Sequence, residues 1–297
     1  MDINRANLDA LMRTYMTAFQ AGLDFAPPVN IGFLVSDFPS STASNFYAWL
    51  DLVPGFREWV GERLYKNVRS QKFEVLNRDW EDTVTIPSKD VEDDQYGVYT
   101  PIVRMMGAAW ALKLYQLPIA VLTSNAVGFD GAALCADTHT YGDYTFDNLT
   151  TSALSVTTFN AAFLAGAGWQ FSNGEYIQPR FTHLLHGPKL RSTAFALVDA
   201  EYMIGETGVG GTKNNENFKR CERVEIPDFV GTYDDYWFLI DGSRPVHAIS
   251  RQIRKTPSPR MSTDPEWVQR YGKIDYLADG RAAAAPAFPH MVYGGIL

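Results

Sequence analysis

Apolar positions at three- and four-residue spacing open the chain. Leu8, Leu11, Met12, Tyr15 and Phe19 fall on one helical face, and Gly22 followed by Pro27-Pro28 stops the pattern. The apolar run 29–35 reads as a strand, and 37–45, with Pro39 and a Ser/Thr cluster, as a loop. Residues 57–93 change character: sixteen of these 37 are charged, about twice the 20% of the whole chain. Phe73 and Val75, then Val84 and Ile86, alternate with polar residues on either side of Asn77-Arg78-Asp79. That pattern predicts a long two-stranded hairpin with a polar tip. A lone hairpin is marginal in water, so this one must lie on its own domain or on a neighbouring subunit.

The strongest helical signal follows. Thr100 is placed as N-cap and Pro101 at the first helical position. Val98, Ile102, Met105, Ala109 and Leu112 form one stripe, with Val103, Met106 and Trp110 beside it. The arc is wide enough for a central packed helix. Pro118 is expected to break or kink it, with a second helix running to about residue 125. Further on, 128–150 reads as loop, 156–165 as helix, 180–186 as strand and 188–203 as helix. The Gly/Asn-rich stretch 205–217 reads as a mobile loop. Strands are predicted at 219–226, 235–241 and 246–253, then a proline-bearing connector over 255–266 and a weakly alternating tail. The mixture is α+β without a regular βαβ repeat.

Composition narrows the classes. A chain of 297 residues, 46% hydrophobic and 13% aromatic, is globular and too apolar for disorder. No apolar run approaches the roughly 18–20 residues that span a bilayer, and the N-terminus lacks a secretory pattern. The two cysteines, Cys135 and Cys221, form no disulfide framework and fit a reducing cytoplasm. The net charge of −8 argues against a dedicated nucleic-acid binder. An acidic surface repels phosphate, which suits a container better than a clamp.

Catalytic chemistry is sparse. His183 and His186 lie three apart in a predicted strand and so point to opposite faces, which disfavours a metal pair. Cys135, Asp137 and His139 alternate within a loop, but no second cluster completes a tetrahedral site, and a buried cysteine is the better reading. There is no G-x-S-x-G elbow, and Gly205–Lys213 lacks the G-K-[ST] ending of a phosphate loop. The acidic pairs Glu81-Asp82, Glu92-Asp93-Asp94 and Asp234-Asp235 read as solvated faces or inter-subunit ion pairs rather than catalytic carboxylates. No catalytic residue, metal or cofactor is expected, and the chain is read as a non-enzyme whose surface is its product.

Several local patterns then combine. They are Leu23-Asp24 before a proline pair and the run from Trp49-Leu50-Asp51-Leu52-Val53-Pro54-Gly55-Phe56 to Arg63. With them go Phe73-Glu74-Val75, Asn77-Arg78-Asp79-Trp80-Glu81, and Val91 to Tyr99. Later come Trp237-Phe238-Leu239-Ile240-Asp241 and Ser243-Arg244-Pro245. Together they resemble the Mu-like phage major head subunit family, densely over about 23–115 and again over 180–255, and loosely over 128–175 and the last 30 residues.

The resemblance implies the Hong Kong 97-type capsid fold. It implies an N-terminal arm (1–56), an E-loop hairpin (57–93) and a P-domain with a spine helix (94–178). An A-domain (179–255) and a return to the P-domain (256–297) complete it. It implies self-assembly into hexamers and pentamers of an icosahedral shell that contacts packaged double-stranded DNA non-specifically. A separate scaffolding protein, a maturation protease and a portal are implied partners, with no membrane, and assembly in the bacterial host cytoplasm into the virion. A long charged helical scaffolding segment is missing ahead of the arm, so either scaffolding is a separate protein, as the resemblance implies, or the chain is already processed, and Met1 argues for the former. Arg57, Glu58, Arg63, Arg78 and Asp79 are candidate intersubunit ion-pair members, and Trp80, at the predicted tip, a candidate anchor. Lys66 and Asn67 lie in the hairpin region, but nothing selects them for covalent cross-linking, and none is expected. The 205–217 loop is expected near the capsomer axis. The alternative is an encapsulin-like nanocompartment shell, separated by the absence of DNA in purified particles.

Overall fold

The computed structural model describes residues 5–47, 73–93, 95–141, 143–171, 174–204, 212–261 and 265–297. In chain order it runs α1 (Arg5–Leu23), β1 (Val35–Pro39), β2 (Ser44–Phe46), β3 (Glu74–Leu76), β4 (Arg78–Pro87), α2 (Ser88–Glu92) and α3 (Thr100–Thr123). Then come β5 (His139–Tyr141), β6 (Tyr144–Phe146), β7 (Leu149–Thr150), α4 (Val156–Ala167), β8 (His183–His186), α5 (Arg191–Ala194), β9 (Tyr202–Ile204) and β10 (Thr212–Asn214). The chain closes with β11 (Glu222–Glu225), β12 (Trp237–Ile240), β13 (Ile249–Lys255), β14 (Arg260–Met261), α6 (Pro265–Tyr271), β15 (Lys273–Pro286) and β16 (Val292–Gly295).

One sheet, in the order β11-β8-β12-β16-β7, is apolar on both faces. Leu185, Phe238, Ile240 and Val292 face one cluster with Tyr115, Ile119 and Leu122 of α3. Leu184, Trp237, Leu239 and Tyr293 face another with Phe159 and Ala162 of α4. This is why the run Trp237-Phe238-Leu239-Ile240 does not alternate: all four are fully buried. The second sheet runs β1-β13-β15-β14, with β4 also paired to β15. It alternates, burying Ile274, Tyr276 and Ala278 and exposing Leu277 and Asp279.

The predicted hairpin is re-paired. β3 and β4 do not face each other across Asn77. β3 pairs antiparallel with β2, and β4 pairs antiparallel with β15 over ten residues. β15 is a strand of 14 residues and offers β4 a longer ladder than β3 does. The tripeptide 77–79 is therefore a junction within an extended segment, not a tip. Residues 48–72, which hold the first part of the predicted hairpin, lie outside the described residues.

Helix α3 also departs from expectation. Tyr99 is its N-cap and Thr100 lies inside it. It runs unbroken through Pro118. A helical proline orphans the carbonyl four residues back, here Leu114. The Arg251 guanidinium donates to that carbonyl at 2.7 Å and pairs with Asp37 through its other nitrogens. At 24 residues, α3 is long and apolar enough to cross a membrane, which the sequence reading did not expect. Its packing accounts for that apolarity. Val103 and Met106 join Leu8, Leu11, Tyr15 and Phe19 of α1 in one cluster. The two helices touch backbone to backbone, since a Cβ on Gly107 would lie 2.3 Å from the Phe19 carbonyl oxygen.

Smaller differences follow the same logic. The first strand starts at Val35, not 29. The helix after Gly187-Pro188 tightens and then widens through short turns, ending at Asp199. The tail holds the long strand β15, with its Ala/Pro patch packed against α3 and β13. β9 and β10 pair around residues 205–211, which lie outside the described residues.

Candidate assembly surfaces

Of the six candidate contact residues, Arg57, Glu58 and Arg63 lie outside the described residues. Arg78, Asp79 and Trp80 start β4, and the structure engages two of them within their own chain. Asp79 pairs with Arg281, which stands directly opposite it on β15. The second contact of this fork is 2.9 Å, and the guanidinium holds the Asp79 carboxyl below the usual carboxylate value. Trp80 is half-buried. Its indole N–H donates to the Ala282 carbonyl at 3.1 Å, and the Lys113 ammonium stands 4.5 Å from the ring centre. With Phe19, Met106 and Trp110 it lines a cleft of about 160 Å³ that Glu81 and Asp82 also line. Arg78 is exposed and has no ion pair among the described residues.

Of the two α3 stripes read as one packed arc, the first turns outward along most of its length, and only its Leu112 packs against the core. Val98, Ile102 and Met105 are 68%, 43% and 70% exposed, and Ala109 is exposed beside them. Periodicity alone cannot choose between two adjacent apolar stripes. The small residue does: Gly107 lets α1 approach, so the stripe of Val103, Met106 and Trp110 turns inward.

The histidine and cysteine clusters resolve into packing groups. Cys135 is buried against Gly294, and burial pushes its thiol well above the usual value. His139 contacts Asp130 at 2.6 Å and the Asn148 side-chain oxygen at 3.1 Å. His183 stacks on Phe33 with ring centres 3.7 Å apart, while His186 is buried with Nδ1 on the Gly187 carbonyl at 2.7 Å. Desolvation pulls the pKa of both downward. Among the acidic pairs, Asp235 meets Lys189 at 2.7 Å on an exposed face. Among the described residues there is no group of three or more His, Cys, Asp or Glu side chains arranged to hold a metal.

Three organising side chains escaped the sequence reading. The Asn148 amide donates to the carbonyls of Leu134, Pro289 and Val292 and accepts from the Ala136 N–H, joining β7, β16 and the intervening loop. Asp241, fully buried, accepts from the N–H groups of Arg180 and Ser243, the Ser243 hydroxyl and Arg244. The third is Arg251. Asp241 and Arg244 do sit in motifs quoted above, so a signal existed for that pair. Asn148 had only its place in a polar loop.

A buried central sheet, a long helix on which an N-terminal helix lies, and an extended polar strand laid along a second sheet define a class. This is the Hong Kong 97-type capsid fold. The bacteriophage JBD30 procapsid subunit shares it, with a TM-score of 0.54 at 22% identity over 98% of this chain and 75% of that one. The bacteriophage PhiM1 mature capsid shares it too, with a TM-score of 0.52 at 10% identity over 91% and 88%. Within that class, residues 8–169, more than half the chain, match the family described as Mu-like prophage major head subunit gpT, and the chain belongs to that family. It is 34% identical over 256 residues to the Mu-like prophage FluMu major head subunit of Haemophilus influenzae, covering 86% of this chain and 62% of that one. It is 37% identical over 119 residues to the major capsid protein of Escherichia phage Mu, covering 39% and 38%. The chain thus spans less than two thirds of the length of either relative. The family match runs to residue 169, well into the stretch that resembled it only loosely by eye.

Proposed function

We propose that this chain is the major head subunit of a Mu-like phage or prophage, and that copies of it close into an icosahedral shell of hexamers and pentamers around double-stranded DNA. The family match over residues 8–169 carries this reading. The exposed apolar stripe of Val98, Ile102 and Met105 supports it, since a surface of this kind on an otherwise acidic protein seeks cover. Many weak reciprocal contacts per subunit give a closed shell its stability through effective concentration. The chain acts through its surface and catalyses nothing. Scaffolding, proteolytic maturation and a portal are supplied by other chains, assembly takes place in the host cytoplasm, and the product is the virion.

Negative-stain microscopy of the purified chain, alone and with its scaffolding partner, tests the reading. Closed icosahedral particles are expected. A chain that stays monomeric at high concentration under both conditions overturns it. Particles that enclose protein cargo and no DNA in infected or induced cells would place it with nanocompartment shells instead.

A further inference from the structure

Trp80 and Asp82 lie on the face of β4 that packs toward α3, and with Trp110 and Lys113 they line the cleft described above. Opposite Trp80 in the β15 ladder stands Gly280. A Cβ there would lie 2.6 Å from the Trp110 ring and 2.9 Å from Pro257, so any side chain at 280 would take up the space beside the two indoles. The cleft is open because that residue is glycine. Its lining is graded. Phe19, Met106, Trp110 and Ala278 are buried and apolar, whereas Glu81 and Asp82 are exposed. Neither carboxylate has an ion pair among the described residues. The Lys113 ammonium stands 4.5 Å from the centre of the Trp80 ring rather than on either acid. The indole face therefore already attracts one ammonium.

We propose that this cleft binds a small amphipathic organic cation. The ligand is an alkylammonium whose hydrocarbon body lies among Phe19, Met106 and Trp110 and whose head meets Asp82 and Glu81. The charge balance selects its sign: two carboxylates without partners face one ammonium that is already seated on a ring. The burial gradient selects its orientation, since an ammonium pressed against the buried apolar wall would lose its water and gain no partner. A cavity of about 160 Å³ has room for about five water-sized groups, the length of a short alkyl chain. The inference needs only the single chain and stands apart from the shell reading.

Calorimetric titration of the purified chain at low salt with hexylammonium, hexanol and hexanoate tests it. Hexylammonium should bind about tenfold or more tightly than either of the others. Equal binding of the three, no binding, or tighter binding of hexanoate overturns the proposal. Two substitutions should act in opposite directions. Asp82→Asn removes a charge that meets the head and should weaken hexylammonium binding about three- to tenfold. Lys113→Met removes the rival ammonium from the Trp80 ring and should tighten it about threefold. Shifts in the same direction, or none, overturn the proposal; if either variant fails to fold, the three probes on the parent chain decide. Glu222→Gln, at an exposed carboxylate outside the cleft, should leave binding unchanged. An equal loss there would assign the effect to overall charge and overturn the site. Affinity that falls as the protein concentration rises would place a lysine of a second copy in the cleft, which also overturns it.

Discussion

The two five-stranded sheets follow opposite rules. The sheet β11-β8-β12-β16-β7 is covered on both faces, and its central strands expose nothing. The sheet built on β15 is covered on one face, carries ion pairs on the other, and ends at β4, whose far edge carries no strand among the described residues. The first holds the subunit together whether or not copies meet. The second keeps backbone and charge available, at a cost in the stability it contributes to the monomer. If assembly uses the open sheet, stability and assembly are separated in space, and substitutions in the two sheets should report on different measurements.

The largest test of that separation is Trp237→Ala. Trp237 is fully buried, and a Cβ on the neighbouring Gly295 would lie 2.0 Å from its indole nitrogen, so on that side there is no side chain to fill the space it leaves. The expected loss is about 3–5 kcal/mol in urea unfolding. Trp80→Ala, on β4, should cost clearly less, because its ring is only partly buried. Equal losses would erase the distinction between the sheets.

Acid should act on the covered side first. His290 is buried among Tyr141, Phe171 and Phe288, and desolvation pulls its pKa down to about 3. A base depressed in the folded state is neutral there and charged in the unfolded chain below its ordinary value of 6.5. Its contribution is therefore complete above about pH 6.5 and is lost progressively as pH falls toward 3. On the order of 3 kcal/mol would be gone by about pH 4. His183, His186 and His247, also depressed by desolvation, act in the same direction. His290→Gln should flatten the fall of the melting temperature with acid. An unchanged slope would show that the acid response arises elsewhere.

The third test lies where the two regions meet. Arg251→Met keeps most of the aliphatic stem but strips the Leu114 carbonyl of its donor. A buried carbonyl left unpaired costs about 1–3 kcal/mol, and the part-buried Leu114 carbonyl should fall at the low end. If the loss is instead negligible, water has taken the place of the guanidinium, and Pro118 is tolerated without help from β13.

What the residue pattern reveals divides along the same line. Covered elements are legible because burial imposes a pattern: the one-sided helices α1 and α4 and the apolar strands β8 and β12 fall close to where their side chains predict. The junction at Asn77 was misread because alternation identifies a strand but not its partner. β4 finds that partner about 200 residues later, in a tail whose alanines carry little signal. The outward turn of one α3 stripe was not legible because Gly107, not a large apolar residue, decides which face α1 can approach. Arg251 and Asn148 were invisible because their work is to satisfy backbone groups, and a lone polar residue announces no such role. For the assembly surfaces, family resemblance rather than pattern carried the reading; the match over residues 8–169 bears out the family, and the contact residues rest on the resemblance alone.

The smallest expected effect bears most directly on how β4 is held. The Asp79–Arg281 pair sits on the open face, with the Asp79 side chain 70% exposed. Exposed pairs are screened by solvent and contribute little. Asp79→Asn should therefore leave the melting temperature at neutral pH unchanged. The Asp79 carboxyl is depressed in the folded state, so whatever it contributes is present above its ordinary value near 3.8 and is lost as pH falls through the folded value. The substitution should thus remove only a small part of the acid slope below about pH 4, and added salt should hide even that. A marked loss at neutral pH would mean that charge, rather than the backbone ladder and the Trp80 contact to Ala282, pins the start of β4. That start would then be held in place by an interaction that salt can dissolve.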